Sequence, residues 1–330
     1  IQVPGNWSLN GYGVPNYVNM RADFAPDENP LTVNKIPRDT NTTGRYKRVF
    51  EVSEEWNGKT VIAYLGAVKS AFKLWVNGHY VGYSQDSKTA AEFDITEFIV
   101  PGKQNTMAIE VYRWSDGSYL ELQDMWRLNG IERDVYLYAT PQTRIQDIRL
   151  TTTTTTDYQN GLFGAEVSIV GNQASNSMVD FTVYDESGDL VLRDNQPISS
   201  QENRSVAIVQ PTVVKGVQFW SHESPALYSV RLRLLNKAKE VTQVVWLRAG
   251  FRTSELKGGN VLINGKPVLF KGVNRHEHDP RSGHVISEAS MRKDLTLMKS
   301  LNINAVRNSH YPNHPLWYAL ADEYGMYLVD

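Results

Sequence analysis

Pro267-Val268-Leu269-Phe270-Lys271-Gly272-Val273-Asn274-Arg275-His276-Glu277-His278 is a mostly apolar run that ends in a polar cluster. The pattern returns at Ile303-Asn304-Ala305-Val306-Arg307, which leads into Asn308-Ser309-His310-Tyr311-Pro312-Asn313-His314. Between the two, a helix is predicted from near Ser287, with Met291, Leu295 and Met298 at i, i+4 and i+7. A second helix follows, with Pro315 in its first turn, Leu316 and Leu320 on one face and Gly325 as its stop. Met326-Tyr327-Leu328-Val329-Asp330 then reads as a third buried strand. Strand, helix, strand, helix, strand with short connections predicts a parallel sheet. Three strands fit either an open sheet or the opening of an eight-stranded barrel. An open sheet would leave an apolar face uncovered, which favours a barrel that these residues do not complete.

Upstream the periodicity changes. Residues 142–253 read as all-β, with alternating runs such as Val179-Asp180-Phe181-Thr182-Val183-Tyr184 and Tyr228-Ser229-Val230-Arg231-Leu232-Arg233-Leu234. About seven short strands over this length predict an immunoglobulin-like sandwich. The threonine run Thr151–Thr156 can be read as a glycan stalk or a β-branched strand, and its continuation into patterned sequence favours the strand. Residues 1–141 carry short aromatic-rich strands, among them Phe72–Val76 and His79–Tyr83 flanking Asn77-Gly78, a strong type I′ hairpin signal. A jelly-roll sandwich is expected there. The fold class is therefore multidomain and mainly β. It comprises a jelly roll (1–141), an immunoglobulin-like sandwich (142–253) and the first βαβαβ part of a TIM barrel (254–330).

Composition sets limits. A net charge of −2 gives no electrostatic reason to expect nucleic acid or an anionic membrane as partner. No apolar run approaches the roughly 20 residues of a membrane span. The absence of cysteine removes disulfide and thiol chemistry but leaves the compartment open between cytoplasm and periplasm. With no initiator Met or signal-like segment at Ile1, and a strand interrupted at Asp330, the protein is expected to continue beyond both ends.

Five of the seven histidines lie between His276 and His314, where predicted strands hand over to helices. In a βα barrel that is the rim on which substrate-binding groups are mounted. Residues two apart on a strand share a face, so Asn274, His276 and His278 are expected on one side and Arg275 and Glu277 on the other. His276 and His310, from adjacent strand ends, offer imidazole donors or acceptors suited to vicinal sugar hydroxyls. Two other readings stand beside this one: local hydrogen bonding at a domain edge, and a zinc site built from His-x-His or His-x-x-x-His. In the first domain, Trp114-Ser115-Asp116-Gly117-Ser118-Tyr119 with Trp126 supplies flat apolar faces that could stack on a pyranose or simply pack a loop. The charged run Arg127, Glu132, Arg133, Asp134 is expected in surface or interdomain ion pairs.

Taken together, these motifs resemble a β-galactosidase of glycoside hydrolase family 2. The matching segments are Gly5-Asn6-Trp7, Trp75-Val76-Asn77-Gly78, Val81-Gly82-Tyr83-Ser84-Gln85-Asp86-Ser87, Arg113 through Glu121 and Asp124-Met125-Trp126-Arg127. Gly272 through His278 and Ser309 through Trp317 complete the set, in the family's order along the whole chain. Several stretches are shared with β-glucuronidases and β-mannosidases. The Trp-Ser-Asp-Gly-Ser-Tyr and Arg-His-Glu-His stretches resemble the β-galactosidase branch more particularly.

The resemblance implies a retaining hydrolase of terminal β-galactosides such as lactose, with relatives that form homo-oligomers. It implies that His276 and His310 hydrogen-bond the galactosyl hydroxyls, that Asp116 reaches the sugar and helps hold sodium, and that Asn19 is a further sugar-binding residue. Glu132 departs from the family pattern, which has an aromatic there, and this bears on a packing detail. Retention needs two carboxyl groups about 5 Å apart. The resemblance places both glutamates, and the magnesium ligands, beyond Asp330. Glu121 and Glu277 match neither catalytic position, so these residues alone are expected to be inactive. A non-catalytic carbohydrate-binding or complementing module, and a related β-glucuronidase or β-mannosidase, remain the alternatives.

Overall fold

A computed structural model describes residues 1–17, 36, 39, 41–121, 123–172, 174–201 and 204–330. The first body is a β-sandwich. Thr43–Glu51, Gln104–Tyr112, Ala71–Val76 and His79–Gln85 form one antiparallel sheet in that spatial order. Val135–Thr140, Thr60–Leu65 and Ala91–Asp94 form the facing sheet. Period-two alternation decides which side chains enter: Met107, Ile109 and Val111 are buried beside Phe72, Leu74 and Val76. Asn77 (φ 50°) and Gly78 (φ 83°) take the left-handed conformations that the two-residue hairpin requires.

A third, short sheet, Gly5–Asn6, Gly130–Ile131 and Val68–Lys69, closes one end of this sandwich and carries the residues that meet the parallel sheet. Gly130 (φ 138°) has to be glycine, because a Cβ there would lie 2.4 Å from the Gly5 carbonyl oxygen.

The second body packs Arg144–Thr154, Gly161–Val170, Arg204–Val214 and Ser199–Gln201 against Leu190–Pro197, Met178–Tyr184, Tyr228–Leu235 and Val241–Ala249. Eight strands therefore stand where about seven were expected. Thr151–Thr154 form the end of a strand, paired with Gly161–Gly164.

After a three-stranded meander (Ser254–Lys257, Asn260–Ile263, Lys266–Pro267) the parallel sheet begins. Its strands are β1 (Gly272–Arg275), β2 (Ala305–Asn308) and β3 (Tyr327–Val329), joined through α1 (Glu288–Ser300) and α2 (Pro315–Tyr324). The first strand is shorter than the apolar run suggests: 268–271 lie outside it and Leu269 is 75% exposed. The cause is Asn304, whose side chain accepts from the Lys271 N–H (2.8 Å) and donates to the Leu269 carbonyl (3.0 Å). Those are contacts that a neighbouring strand would otherwise supply.

Ser287 caps α1 by accepting from the Ser290 N–H, and Gly325 (φ 70°) ends α2 in the left-handed conformation. The buried face of α2 adds Trp317 and Ala321 to the expected Leu316 and Leu320, with Leu316 half-buried against the same core. Three strands make no closed barrel among the described residues. No helix among them is long and apolar enough to cross a membrane.

Candidate functional site

Beyond β1 the extended chain keeps alternating: Asn274, His276 and His278 are exposed, whereas Arg275 and Glu277 are buried. The Ser309 N–H donates to the Arg275 carbonyl (2.9 Å), which carries the pairing of β1 and β2 past the strand ends. This brings the His276 and His310 rings edge to face, with centroids 5.4 Å apart and planes at 86°.

Beneath the pair sits Tyr311. Its hydroxyl accepts from the Glu277 N–H (3.1 Å) and lies 3.4 Å from His276 Nδ1. Burial, reinforced by the Glu277 and Glu132 charges, pushes the Tyr311 phenol up, so it keeps its proton. Burial, followed by the neighbouring His310 and His278, lowers the His276 pKa, while the Asp124 carboxylate acts in the opposite sense. A neutral imidazole follows, able to donate from one nitrogen and accept at the other.

The other three clustered histidines do different things. The His278 ring lies parallel to Trp126 of the first sandwich, centroids 6.4 Å apart, and Tyr17 meets Trp126 edge-on at 4.8 Å. His314 caps α2, its Nδ1 accepting from the Leu316 N–H (3.1 Å). His284 is buried, and its Nδ1 lies 2.7 Å from Glu132 Oε1.

Glu132 corrects the sequence reading. No mere packing substitute for an aromatic, it is the hub of a buried polar cluster that joins the sandwich to the parallel sheet. Asn6 Nδ2 donates to Oε1 (3.1 Å) and Lys88 Nζ to Oε2 (2.5 Å), while Asn6 Oδ1 accepts from the His284 N–H (2.9 Å). Burial works to raise the Glu132 pKa. The charges of Lys88 and Lys69 and the His284 contact outweigh it and hold the carboxyl well below its usual range. Burial presses the His284 pKa down to about 4, so a neutral His284 donates Nδ1–H to an ionised Glu132. Burial also lowers Lys69 to about 8; its Nζ lies 3.8 Å from Met125 Sδ.

Next in sequence, Arg133 reaches the other sub-cluster, pairing with Glu277 (2.9 Å). Arg133 and Glu132 therefore make interdomain pairs, both buried, whereas Asp134 is exposed.

In the first sandwich, the Ser115 N–H donates to Ser118 Oγ (3.0 Å) and the Ser118 N–H to the Ser115 carbonyl (2.9 Å), which shapes the turn Asp116–Tyr119. It leaves Asp116 exposed, near enough to Tyr83 to help raise its phenol pKa after burial has done most of that work. Trp114 is buried, with its backbone N–H and carbonyl both bonded to the Asn41 side chain. Of the aromatics considered for sugar stacking, Trp114 is thus packed and Trp126 stands at the rim.

The models of known families match the chain in three consecutive parts. Residues 1–141 match the model described as "Glycosyl hydrolases family 2, sugar binding domain". Residues 143–252 match "Glycosyl hydrolases family 2", and 254–330 match "Glycosyl hydrolases family 2, TIM barrel domain". The chain belongs to glycosyl hydrolase family 2.

Within family 2 its curated relatives include the β-galactosidase of Priestia megaterium, 42% identical over 337 residues, and that of Pectobacterium atrosepticum, 43% identical over 341. Both alignments cover 100% of this chain and 32% of the relative, so the chain spans about a third of their length. Among solved structures, the β-glucuronidase of Bifidobacterium dentium superposes with a TM-score of 0.83 at 24% identity, covering 100% of this chain and 55% of that one. The Bacteroides uniformis β-glucuronidase gives 0.81 at 24%, covering 99% and 38%. At that identity the likeness shows the fold.

Two family-2 expectations meet the geometry unevenly. Asn19 lies outside the described residues. For a cation, Asp116 supplies one exposed carboxylate, and among the described residues no three His, Asp or Glu side chains converge as metal ligands.

Glu121 is held by Ser87, whose N–H (3.2 Å) and hydroxyl both donate to its carboxylate. Lys69, Lys88 and His284 were missed by the sequence reading. The one signal for Lys69 was a lone lysine inside Gly66-Ala67-Val68-Lys69-Ser70-Ala71-Phe72.

Proposed function

We propose that these 330 residues are the galactose-recognising part of a retaining β-galactosidase. The observation that carries the reading is the edge-to-face His276–His310 pair on the strand ends, with Asp124 of the sandwich near enough to His276 to act on its charge. An uncharged polyol is recognised by donors and acceptors that need not bring a net charge into the site. The likeness to β-galactosidases at 41–43% identity, over the whole of this chain and 32% of theirs, supports galactoside over glucuronide, since the glucuronidase likeness is one of fold.

In this reading His276 and His310 hold sugar hydroxyls. Asp116 and Asn19 reach the same sugar from the sandwich, and Asp116 contributes one ligand to a sodium ion. Retention then needs an acid/base and a nucleophile across the scissile bond. Glu277 and Glu121 already accept hydrogen bonds from Arg133, His314 and Ser87, which supports placing the two catalytic carboxylates, and the magnesium ligands, in residues outside these 330. The complete enzyme is proposed to be a homo-oligomer.

The test is a panel of 4-nitrophenyl β-galactoside, β-glucuronide and β-mannoside, offered to this chain and to the full product of its reading frame. Hydrolysis of the galactoside by the full product alone is expected. Turnover by the 330-residue chain would show that the chemistry has been misplaced. Preference for the glucuronide or mannoside would replace the substrate.

A further inference from the structure

Glu277 stands between the two rim histidines His276 and His278 in sequence, but its side chain points the other way and is 2% exposed. Its two oxygens are engaged by two different segments. Oε1 accepts from the backbone N–H of His314 (2.5 Å), in the turn that begins with His310. Oε2 accepts from Arg133 Nη2 (2.9 Å), which belongs to the first sandwich. The same guanidinium donates from Nη2 to the Pro312 carbonyl (2.9 Å) and from Nη1 to the Lys88 carbonyl (2.6 Å). One planar fork thus spans three stretches of chain: the end of β1, the turn after β2, and the sandwich itself. Lys88 adds a further tie, its ammonium lying 4.8 Å from the Tyr311 ring centroid beneath His276.

We infer that Arg133 is a positioning residue for sugar recognition: acting through Glu277, it fixes the separation and tilt of the His276- and His310-bearing turns without touching the ligand. The physical reason is directional. The two turns leave different strands, and among the described residues only the Ser309–Arg275 backbone bond continues the ladder past the strand ends. An apolar contact would let the turns slide, because burial is non-directional. A guanidinium with fixed donor geometry, excluded from water together with its carboxylate, does not. The sandwich therefore contributes to binding by setting the histidine geometry as well as through its own loops.

The positioning role rests on the galactoside reading, and the experiment separates the two. The chain with 13C-labelled histidine rings would be compared with Arg133→Ala and Arg133→Lys by NMR, and its affinity for methyl β-galactoside measured. In Arg133→Ala the His276 and His310 ring resonances are expected to move and broaden while those of His79 and His222 stay in place. Arg133→Lys, which keeps the charge but loses the fork, should recover them only partly. Phe181→Ala serves as the control for simple destabilisation and should leave all four rings unmoved. Sugar affinity in Arg133→Ala should fall about tenfold, as expected for misplacement of the binding groups.

If Arg133→Ala does not fold, Glu277→Gln tests the same clamp from its other end. Its carboxamide sets one NH2 against a donor where two donors converge, so the two rings should shift as they would in Arg133→Ala. Unchanged His276 and His310 resonances in a folded variant would overturn the positioning role. A wild-type chain that does not bind the galactoside would sink the sugar reading alone, since the ring resonances still decide the clamp.

Discussion

The interior of the second sandwich and the seam between the first sandwich and the parallel sheet are both buried, but they are made of opposite materials. Between the sheets of the second sandwich lie Phe163, Val167, Phe181, Val230, Leu232 and Phe251, all almost fully buried in one apolar cluster. In the seam lie Asn6, Lys69, Lys88, Glu132, Arg133, Glu277 and His284, each less than a tenth exposed. Apolar burial stabilises in proportion to area and tolerates small rotations of one layer on another. Buried ion pairs return little net stability once desolvation is counted, yet each member needs its partner at one distance and angle. The first region makes a sandwich stable; the second fixes how two bodies meet and where the histidines stand.

The largest expected effect tests the apolar side. Phe181→Ala should lower unfolding stability by about 4–5 kcal/mol through lost transfer energy and a residual cavity. Denaturant unfolding should show this as a lower midpoint, with the pH dependence of the seam unchanged. An altered pH dependence would mean that the two regions are coupled. Next, Glu132→Ala should cost about 3–4 kcal/mol, because it leaves Lys88 and Lys69 buried without their carboxylate. A loss under about 1 kcal/mol would show that water enters the seam, and the contrast between the regions would weaken.

The third prediction is a pH window. His284 has a folded-state pKa of about 4 against an ordinary 6.5, so the unfolded chain takes up a proton over that interval and the folded chain does not. Stability contributed by neutral His284 is therefore complete above about pH 6.5 and declines as pH falls to about 4, by about 3 kcal/mol in all. Melting temperatures between pH 7 and 4 should show the decline, and His284→Asn should flatten it. An equal slope in the variant would assign the titration to another group.

The smallest effect has the opposite sign. Lys69→Met should stabilise by about 2 kcal/mol at pH 7, since a buried ammonium facing a thioether is replaced by an apolar chain of similar volume. Wild-type Lys69 has its pKa lowered to about 8, so wild-type stability rises with pH between about 8 and 10.5, and the gain should shrink over that range. A destabilised Lys69→Met at pH 7 would show that Lys69 is needed as a counter-charge to Glu132.

Read from the residues alone, the architecture was largely legible where a local rule operates. Period two marked the sandwich strands, Asn77-Gly78 marked its hairpin, and Met291 and Leu295, with Gly325 as a stop, marked the βα units. The rim histidines could be located because strand ends in a βα fold gather ligand groups. What the sequence could not show is which polar residues face one another across long separations. Glu132 meets Lys88 and His284, and Arg133 meets Glu277, only after three bodies dock. Nor did it show that Asn304 would take up the backbone of Leu269 and Lys271 and so shorten β1. Secondary structure follows from backbone sterics and the spacing of apolar side chains, which are written within a few residues of each other. The charge pairs of the seam depend on distances between residues far apart in the chain, and only the tertiary structure decides those.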